Sequence, residues 1–408
     1  MEILWLDEPS VTKVPGFLAT GVACGIKKSN DLDLALILSE GACVAAGVFT
    51  LNRVQAAPVR VSKERIKSGG EFRAIVINSG IANACTGLQG DIDAVSMVTT
   101  VESVLGLPTG SALVMSTGII GHYLPMEKII QGIKKAAGSL ASHNDNLAQR
   151  AIMTTDTRPK AAAVHCEIQG RKITIAGICK GSGMIHPHMG TMLAVLATDV
   201  AITHEMAQCA LQWVVDRSFN MVTVDGDTST NDSVFLLANG VAKNPSFERN
   251  SEDFLHFRAA LSRVATSLTE QIARDGEGAS KFIVVKVKGA RDFFSASQVA
   301  KSIASSNLVK TAIYGEDANW GRILCAAGYS GADIEQERLS LWLASSAGSI
   351  QLVKEGLPFE ENASVSKKIL QQTDIVVTMD LGQGESEANS WTCDFTHKYI
   401  DINAHYHT

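Results

Sequence analysis

The sequence predicts an α+β fold, a layered sandwich of sheets and helices. Strand-like and helix-like segments come in pairs rather than as regular βαβ repeats, and no Pro/Ser-rich linker divides the 408 residues. In order along the chain, Leu32 to Leu38 alternates Leu with other residues. Across Glu40-Gly41 it meets the apolar run Ala42 to Phe49, which predicts a β-hairpin. Ala74 to Ile77 predicts a buried strand, Ile92 to Leu105 a helix, Ala112 to Met115 a strand, and Met126 to Leu140 a helix ending near Ser139. Ala161 to Ile168 and Lys172 to Ile178, joined by Gln169-Gly170, predict a second hairpin. Its outgoing strand runs into a glycine-containing loop, residues 180 to 190. Residues 191 to 202 then return to a long apolar strand. Helices are predicted over His204 to Phe219 and Phe254 to Ile272, and strands over Lys281 to Lys288, Leu308 to Tyr314, Leu339 to Leu343 and Ile375 to Met379.

Composition narrows the function classes. A hydrophobic fraction of 46% and a charged fraction of 19% predict a chain that folds throughout. The 36 basic and 42 acidic side chains leave a net charge of −6, with no Lys/Arg run dense enough to track a phosphate backbone, so no nucleic-acid partner is expected. No apolar run reaches the ~18 residues of a membrane span, and the first residues lack the features of a signal peptide. A cytoplasmic protein without a membrane partner is expected. The eight cysteines show no CxxC pair or framework spacing and are read as buried thiols.

The chemistry concentrates around Gly190-Thr191, where a polar loop meets an apolar strand. A glycine before a β-branched hydroxyl residue suits an N-to-O acyl shift: the Thr191 hydroxyl attacks the Gly190 carbonyl, and hydrolysis of the ester frees a new N-terminus. The freed α-amine titrates near ~8, so at neutral pH an appreciable fraction is available as base for the adjacent hydroxyl. Thr191 would then be both nucleophile and carrier of its own base. Ser116-Thr117-Gly118 follows a strand, and the Thr117 hydroxyl with the Gly118 N–H suits an oxyanion hole. Lys180 at a strand end suits a substrate carboxylate, and Asp275-Gly-Glu277-Gly reads first as a polar loop and second as a carboxylate held close to a ligand amine. The Lys180 loop lacks the order of a phosphate loop. His186-Pro-His188 lacks further ligands at zinc spacing, and the acidic run Asp225 to Asp232 reads as a hydrogen-bonded turn rather than a calcium loop.

Seven segments in register then carry a resemblance: STGIIG (116 to 121), TTDTRPK (154 to 160), KGSGMIHPHMGTMLAVLATD (180 to 199), TVDGDTSTND (223 to 232), DGEGASKF (275 to 282), DANWGR (317 to 322) and INAHYHT (402 to 408). From near Val14 to Thr408 the chain resembles the glutamate N-acetyltransferase, or ornithine acetyltransferase, family. The resemblance implies a precursor that cuts itself between Gly190 and Thr191 into an α chain, 1–190, and a β chain, 191–408. These would stay associated in an α-β-β-α sandwich of the N-terminal-nucleophile type and assemble as a heterotetramer of two α and two β chains. It implies acetyl transfer from N2-acetyl-L-ornithine to L-glutamate in arginine biosynthesis, by a ping-pong acetyl-enzyme route. No metal or organic cofactor is implied, and acetyl-CoA is a conceivable second donor. By position, Thr117 and Gly118 would form the oxyanion hole, and Thr154, Lys180, Thr191, Glu277, Asn403 and Thr408 would contact substrate.

Two positions depart from the family pattern. Gly190 stands where alanine is common, which leaves the attacked carbonyl less hindered, and His186 and His188 stand where smaller or amide side chains are the rule. Two other readings remain open on sequence alone. An N-terminal-nucleophile amidase or aminopeptidase would resolve the acyl-enzyme with water, and a non-catalytic amino-acid-binding protein would keep the pocket uncut.

Overall fold

The chain is described here from a computed structural model that covers residues 2–186, 192–359 and 362–405. Its first part contains β1 (Ile3–Trp5), β2 (Phe17–Val22), β3 (Leu34–Phe49), α1 (Ala57–Ser68), β4 (Phe72–Ile81), α2 (Gly87–Leu105), β5 (Ala112–Ile119), α3 (Met126–Ala137), α4 (Asp145–Ala151), β6 (Lys160–Ile168) and β7 (Arg171–Lys180). Next come β8 (Leu193–Thr198), α5 (His204–Arg217), β9 (Ser233–Ala238) and α6 (Glu252–Arg274). The last part holds β10 (Phe282–Ala290), α7 (Phe293–Ser305), α8 (Asn307–Tyr314), α9 (Trp320–Gly328), β11 (Ser340–Ser345), β12 (Gly348–Lys354), β13 (Leu357–Pro358), α10 (Ala363–Leu370), β14 (Asp374–Asp380), β15 (Ser386–Cys393) and α11 (His397–Ala404).

Side-chain alternation explains the layers. Along β3 and β4, Ala35, Ile37, Ile75 and Ile77 turn to an inner core, while Leu34, Leu36, Ala74 and Val76 meet α2 and α3 outside. Along β8 and β9, Leu193, Val195, Phe235 and Leu237 enter the same inner core, and Ala194, Leu196, Val234 and Leu236 face α5 and α6. Helices, sheet, sheet, helices is the result: the layered α+β sandwich expected from sequence, in the α-β-β-α order that the resemblance implies. Burying a Phe or Leu is worth about 1.5–3 kcal/mol. A one-residue slip of β9 would exchange its two faces, so this double-sided core pins the register.

The strand that joins the two sheet layers corrects one expectation. No hairpin forms at Glu40-Gly41. β3 runs unbroken, pairs with β4 through Leu34 to Leu38, shifts register before Cys43, and then pairs with β9 through Val44 to Phe49. A two-residue hairpin turn needs positive φ, and no residue between Ser39 and Cys43 adopts it. The second hairpin stands as expected: Gln169 (φ 53°) and Gly170 (φ 68°) reverse the chain between β6 and β7.

A six-stranded sheet, ordered β13-β12-β11-β14-β10-β15 among the described residues, follows, with α7 packed on β10 and β15. Here Leu308 to Tyr314, expected as a strand, is the helix α8. The Ser306 hydroxyl accepts the Val309 N–H and caps it, a start signal that a short apolar run does not reveal. The cysteines divide: Cys43, Cys166, Cys179 and Cys393 are buried, Cys24 and Cys209 are half-buried, and Cys85 and Cys325 are exposed, which corrects the reading of all eight as buried. The described helices include none long and apolar enough to cross a membrane.

Candidate active site

The oxyanion candidates sit where β5 leaves its ladder with β4. Those strands pair in parallel, Asn78 with Ser116 and Gly80 with Gly118, and an irregularity follows at Ile81. Gly118 has φ +130°, and a Cβ there would fall 2.2 Å from the Gly80 carbonyl carbon. Only glycine fits. The turn is fastened from two sides. The Ser116 hydroxyl donates to Asn78 Oδ1 at 2.5 Å, and the buried Asn231 amide donates to Ser116 O (2.8 Å) and Ala82 O (2.6 Å).

Lys180, the last residue of β7, places Nζ 3.5 Å from Thr117 Oγ1 and 3.9 Å from Asp156 Oδ2. Burial pushes its ammonium below the ordinary lysine range, with Asp156 pulling the other way. Asp156 organises this floor. It accepts the N–H groups of Gly181 (2.7 Å) and Thr154 (3.0 Å) and pairs with Lys160 at 2.7 Å. Burial alone would raise its carboxyl, but Lys180 and Lys160 hold it well below the usual range. Lys160 also pairs with Asp275 at 2.5 Å, and Asp275 accepts the Thr157 N–H and hydroxyl. Burial works against the Lys160 charge, yet the two carboxylates raise its pKa.

Asp275 begins the turn that presents Glu277. Glu277 N–H donates to Ser182 O at 2.8 Å, and its carboxylate lies against Gly183, where a Cβ would come within 2.3 Å. From the far end of the chain, α11 brings Asn403, whose amide donates to Glu277 Oε2 at 2.8 Å. Thr117, Gly118, Thr154, Lys180, Glu277 and Asn403 therefore line one cavity. Gly190, Thr191, His188 and Thr408 lie outside the described residues.

The acidic run is the hydrogen-bonded element that its sequence suggested, and it has a definite job. Asp225 accepts the Met184 (2.6 Å) and Ile185 (2.9 Å) N–H groups before residues 187–191, and Asp232 accepts the Met192 N–H (2.9 Å) after them. One loop thus holds both flanks of the Gly190-Thr191 segment. His186 Nδ1 is 3.5 Å from Thr223 Oγ1, beside that loop. Among the described residues no three His, Cys, Asp or Glu side chains are placed to share a metal ion.

Asp156, Lys160, Asp275, Asn231 and Asp232 were not singled out from sequence as site residues. They stand inside the quoted motifs, but their roles rest on contacts between segments far apart in sequence.

The α-β-β-α sandwich thus brings a glycine-requiring turn, a buried lysine and a carboxylate to one cavity, and the relatives of this chain are acyltransferases. The ArgJ family model matches residues 18–408, and the chain belongs to that family. It is 47% identical over 400 residues to the arginine biosynthesis bifunctional protein ArgJ of Symbiobacterium thermophilum, covering 98% of both chains. To the protein of the same name from Caldanaerobacter subterraneus subsp. tengcongensis it is 46% identical over 408 residues, all of both chains. Among solved structures it matches ArgJ of Bacillus halodurans (42% identity, TM-score 0.48, 50% of this chain and 95% of that one). It also matches the ornithine acetyltransferase of Mycobacterium tuberculosis complexed with ornithine (37% identity, TM-score 0.43, 46% of this chain and 98% of that one).

Proposed function

We propose that this chain cuts itself between Gly190 and Thr191 and then transfers acetyl from N2-acetyl-L-ornithine to L-glutamate for arginine biosynthesis, with Thr191 as nucleophile. The supporting observation is the convergence of Thr117, Gly118, Thr154, Lys180, Glu277 and Asn403, from widely separated stretches of sequence, on one cavity that Gly183 and Met184 also line. The cut would leave 1–190 and 191–408 interleaved, because β8 and β9 of the second piece lie between β7 and β3 of the first. Each piece completes the other's sheet, so they stay together; two such pairs would form the heterotetramer.

In the transfer half-reaction the Thr191 oxygen attacks the acetamide carbonyl while its α-amine takes the hydroxyl proton. The Thr117 hydroxyl and Gly118 N–H meet the developing oxyanion. Collapse breaks the C–N bond, the α-ammonium returns the proton to the leaving amine, and ornithine departs. The α-amine of glutamate then attacks the acetyl-threonine ester, gives up a proton, and leaves as N-acetylglutamate with Thr191 restored. Lys180 pairs with the α-carboxylate that both amino acids carry, and Glu277 with the ornithine amine. Acetyl-CoA acting as a second donor to the same threonine would make the enzyme bifunctional, as the relatives' name says of them.

The test is exchange of labelled ornithine into N-acetylornithine with glutamate absent. A ping-pong enzyme catalyses it, and the 191–408 chain gains about 42 Da on its first residue when acetylated. Absence of exchange, with transfer intact when both substrates are present, would overturn the acetyl-enzyme route. Free acetate as the dominant product would make the chain a hydrolase.

A further inference from the structure

One wall of the cavity is closed by a ring of hydrogen bonds. The Asn403 amide donates to Glu277 Oε2 at 2.8 Å, and the Glu277 N–H donates to Ser182 O at 2.8 Å. Two residues further on, the Met184 N–H donates to Asp225 Oδ2 at 2.6 Å, and that same oxygen accepts the Tyr399 hydroxyl at 3.2 Å. The Asn403 amide also donates to the Tyr399 carbonyl at 3.1 Å, which brings the ring back to its start. Among the described residues Met184, Glu277 and Asn403 line the cavity, and Tyr399 is not part of that lining.

The helix that carries Tyr399 and Asn403 buries none of its residues. Its root is fastened: the Thr396 hydroxyl donates to Gly278 O at 2.7 Å, and its oxygen accepts the Lys398 N–H at 3.2 Å. The Gly278 turn packs so closely on this root that a Cβ there would fall 2.6 Å from the Tyr399 nitrogen. A helix held at its root alone can swing at its far end, and Asn403 lies one turn, about 6 Å, beyond Tyr399. We propose that Tyr399 is a positioning residue for the substrate cavity: its hydroxyl, bound to Asp225, fixes α11 against residues 182–185 and so holds Asn403 and the Glu277 carboxylate where a substrate's side-chain amine is received. This inference rests on the proposed function, which gives Glu277 that amine.

Both partners of the link suit it. Asp225 Oδ1 accepts the Ile185 (2.9 Å) and Asp227 (3.2 Å) N–H groups, so the carboxylate is held from both sides and gives Tyr399 a fixed anchor. Burial, with Asp225 adding to it, pushes the ionisation of the phenol up, and at neutral pH it remains a donor. The Tyr399 ring packs on Phe395 with centroids 4.6 Å apart.

The test is Tyr399→Phe, which keeps that ring contact and removes only the hydroxyl. Hydrogen exchange of the α11 amides is followed beside steady-state transfer from N2-acetyl-L-ornithine to L-glutamate. The expected result is α11 exchange about tenfold faster with α6 unchanged, a KM for acetylornithine raised about three- to tenfold, and a kcat within about twofold of wild type. An Asn403→Ala background separates positioning from direct contact: because Tyr399 acts through Asn403, adding Tyr399→Phe there should raise KM little further. Unchanged exchange and KM, a kcat that falls in step with the rise in KM, or a full extra effect in the Asn403→Ala background overturns the inference, while transfer by the wild-type protein leaves the proposed function standing. A wild-type chain that transfers no acetyl overturns the proposed function and this inference with it.

Discussion

Nζ of Lys180 lies 3.5 Å from Oγ1 of Thr117, both side chains buried, one at the end of β7 and the other in the turn at the end of β5. Two different sheet layers thus deliver a lysine amine and a threonine hydroxyl to the same point. In so dry a site each donor counts for more than it would in water.

Thr117→Ala is therefore expected to slow both self-cleavage and acetyl exchange by about 10² to 10³-fold. Thr117→Ser, which keeps the hydroxyl, is expected to recover most of the rate. Single-turnover exchange and the rate of appearance of the cut chains are the two readouts, and unchanged rates in Thr117→Ala would remove it from the oxyanion hole.

Gly118→Ala tests the turn itself. A Cβ 2.2 Å from the Gly80 carbonyl carbon, at φ +130°, must displace backbone rather than a side-chain tip. A loss of at least about 1–3 kcal/mol in stability is expected, with activity lost beyond what the stability change explains. Denaturant melts beside kcat measure the two effects separately.

Asn231→Ala removes the amide that ties Ser116 O to Ala82 O. Two buried carbonyls lose a donor, so about 1–3 kcal/mol of stability is expected to go. Because the Ser116-Thr117-Gly118 turn, proposed as the oxyanion hole, is loosened while Lys180 and Glu277 stay, kcat should fall more than KM rises. Equal changes in both would point to general damage.

Asp156 predicts a pH dependence. Its folded pKa lies below the unfolded value near ~3.9, so it contributes stability above the unfolded pKa that is lost as pH falls through the folded one. Asp156→Asn should cost about 3–5 kcal/mol at pH 7, since Lys160 and Lys180 lose a buried counter-charge. Melts of both proteins from pH 7 to pH 3 should show the gap constant above about pH 5 and closing below it. A gap that widens in acid would contradict this sign.

The thiols supply a test of the fold. Cys85 and Cys325 are exposed, whereas burial pushes Cys43 and Cys166 up to about 11 and Cys179 up to about 12. Alkylation at pH 8 followed by peptide mass spectrometry should modify Cys85 and Cys325 rapidly and the buried thiols only after unfolding.

Much of this architecture was legible in the sequence because two-sided strands announce themselves. Ala74 to Ile77 and Ala112 to Met115 are apolar on both faces, since each lies between a helix layer and the second sheet. β3 was not legible as one strand, because the passage from one layer to the other at Glu40-Gly41 looks locally like a turn and only long-range pairing with β4 and β9 shows otherwise. The Leu308 to Tyr314 run is too short for its period to separate helix from strand. In the site, residue types suited to contact substrate, such as Thr117 and Lys180, could be named from their motifs. The residues that hold them in place could not, because Asp156 binding Gly181 and Asn231 binding Ser116 are contacts between segments far apart in sequence.

Everything proposed for Thr191 requires the chain to open before it. Intact mass and N-terminal sequencing of the purified 43.4 kDa protein test this most directly. The account predicts two co-purifying pieces of about 20 and 23 kDa, the larger beginning Thr-Met-Leu-Ala-Val. A single uncut chain that still exchanges acetyl between ornithine and glutamate would contradict it.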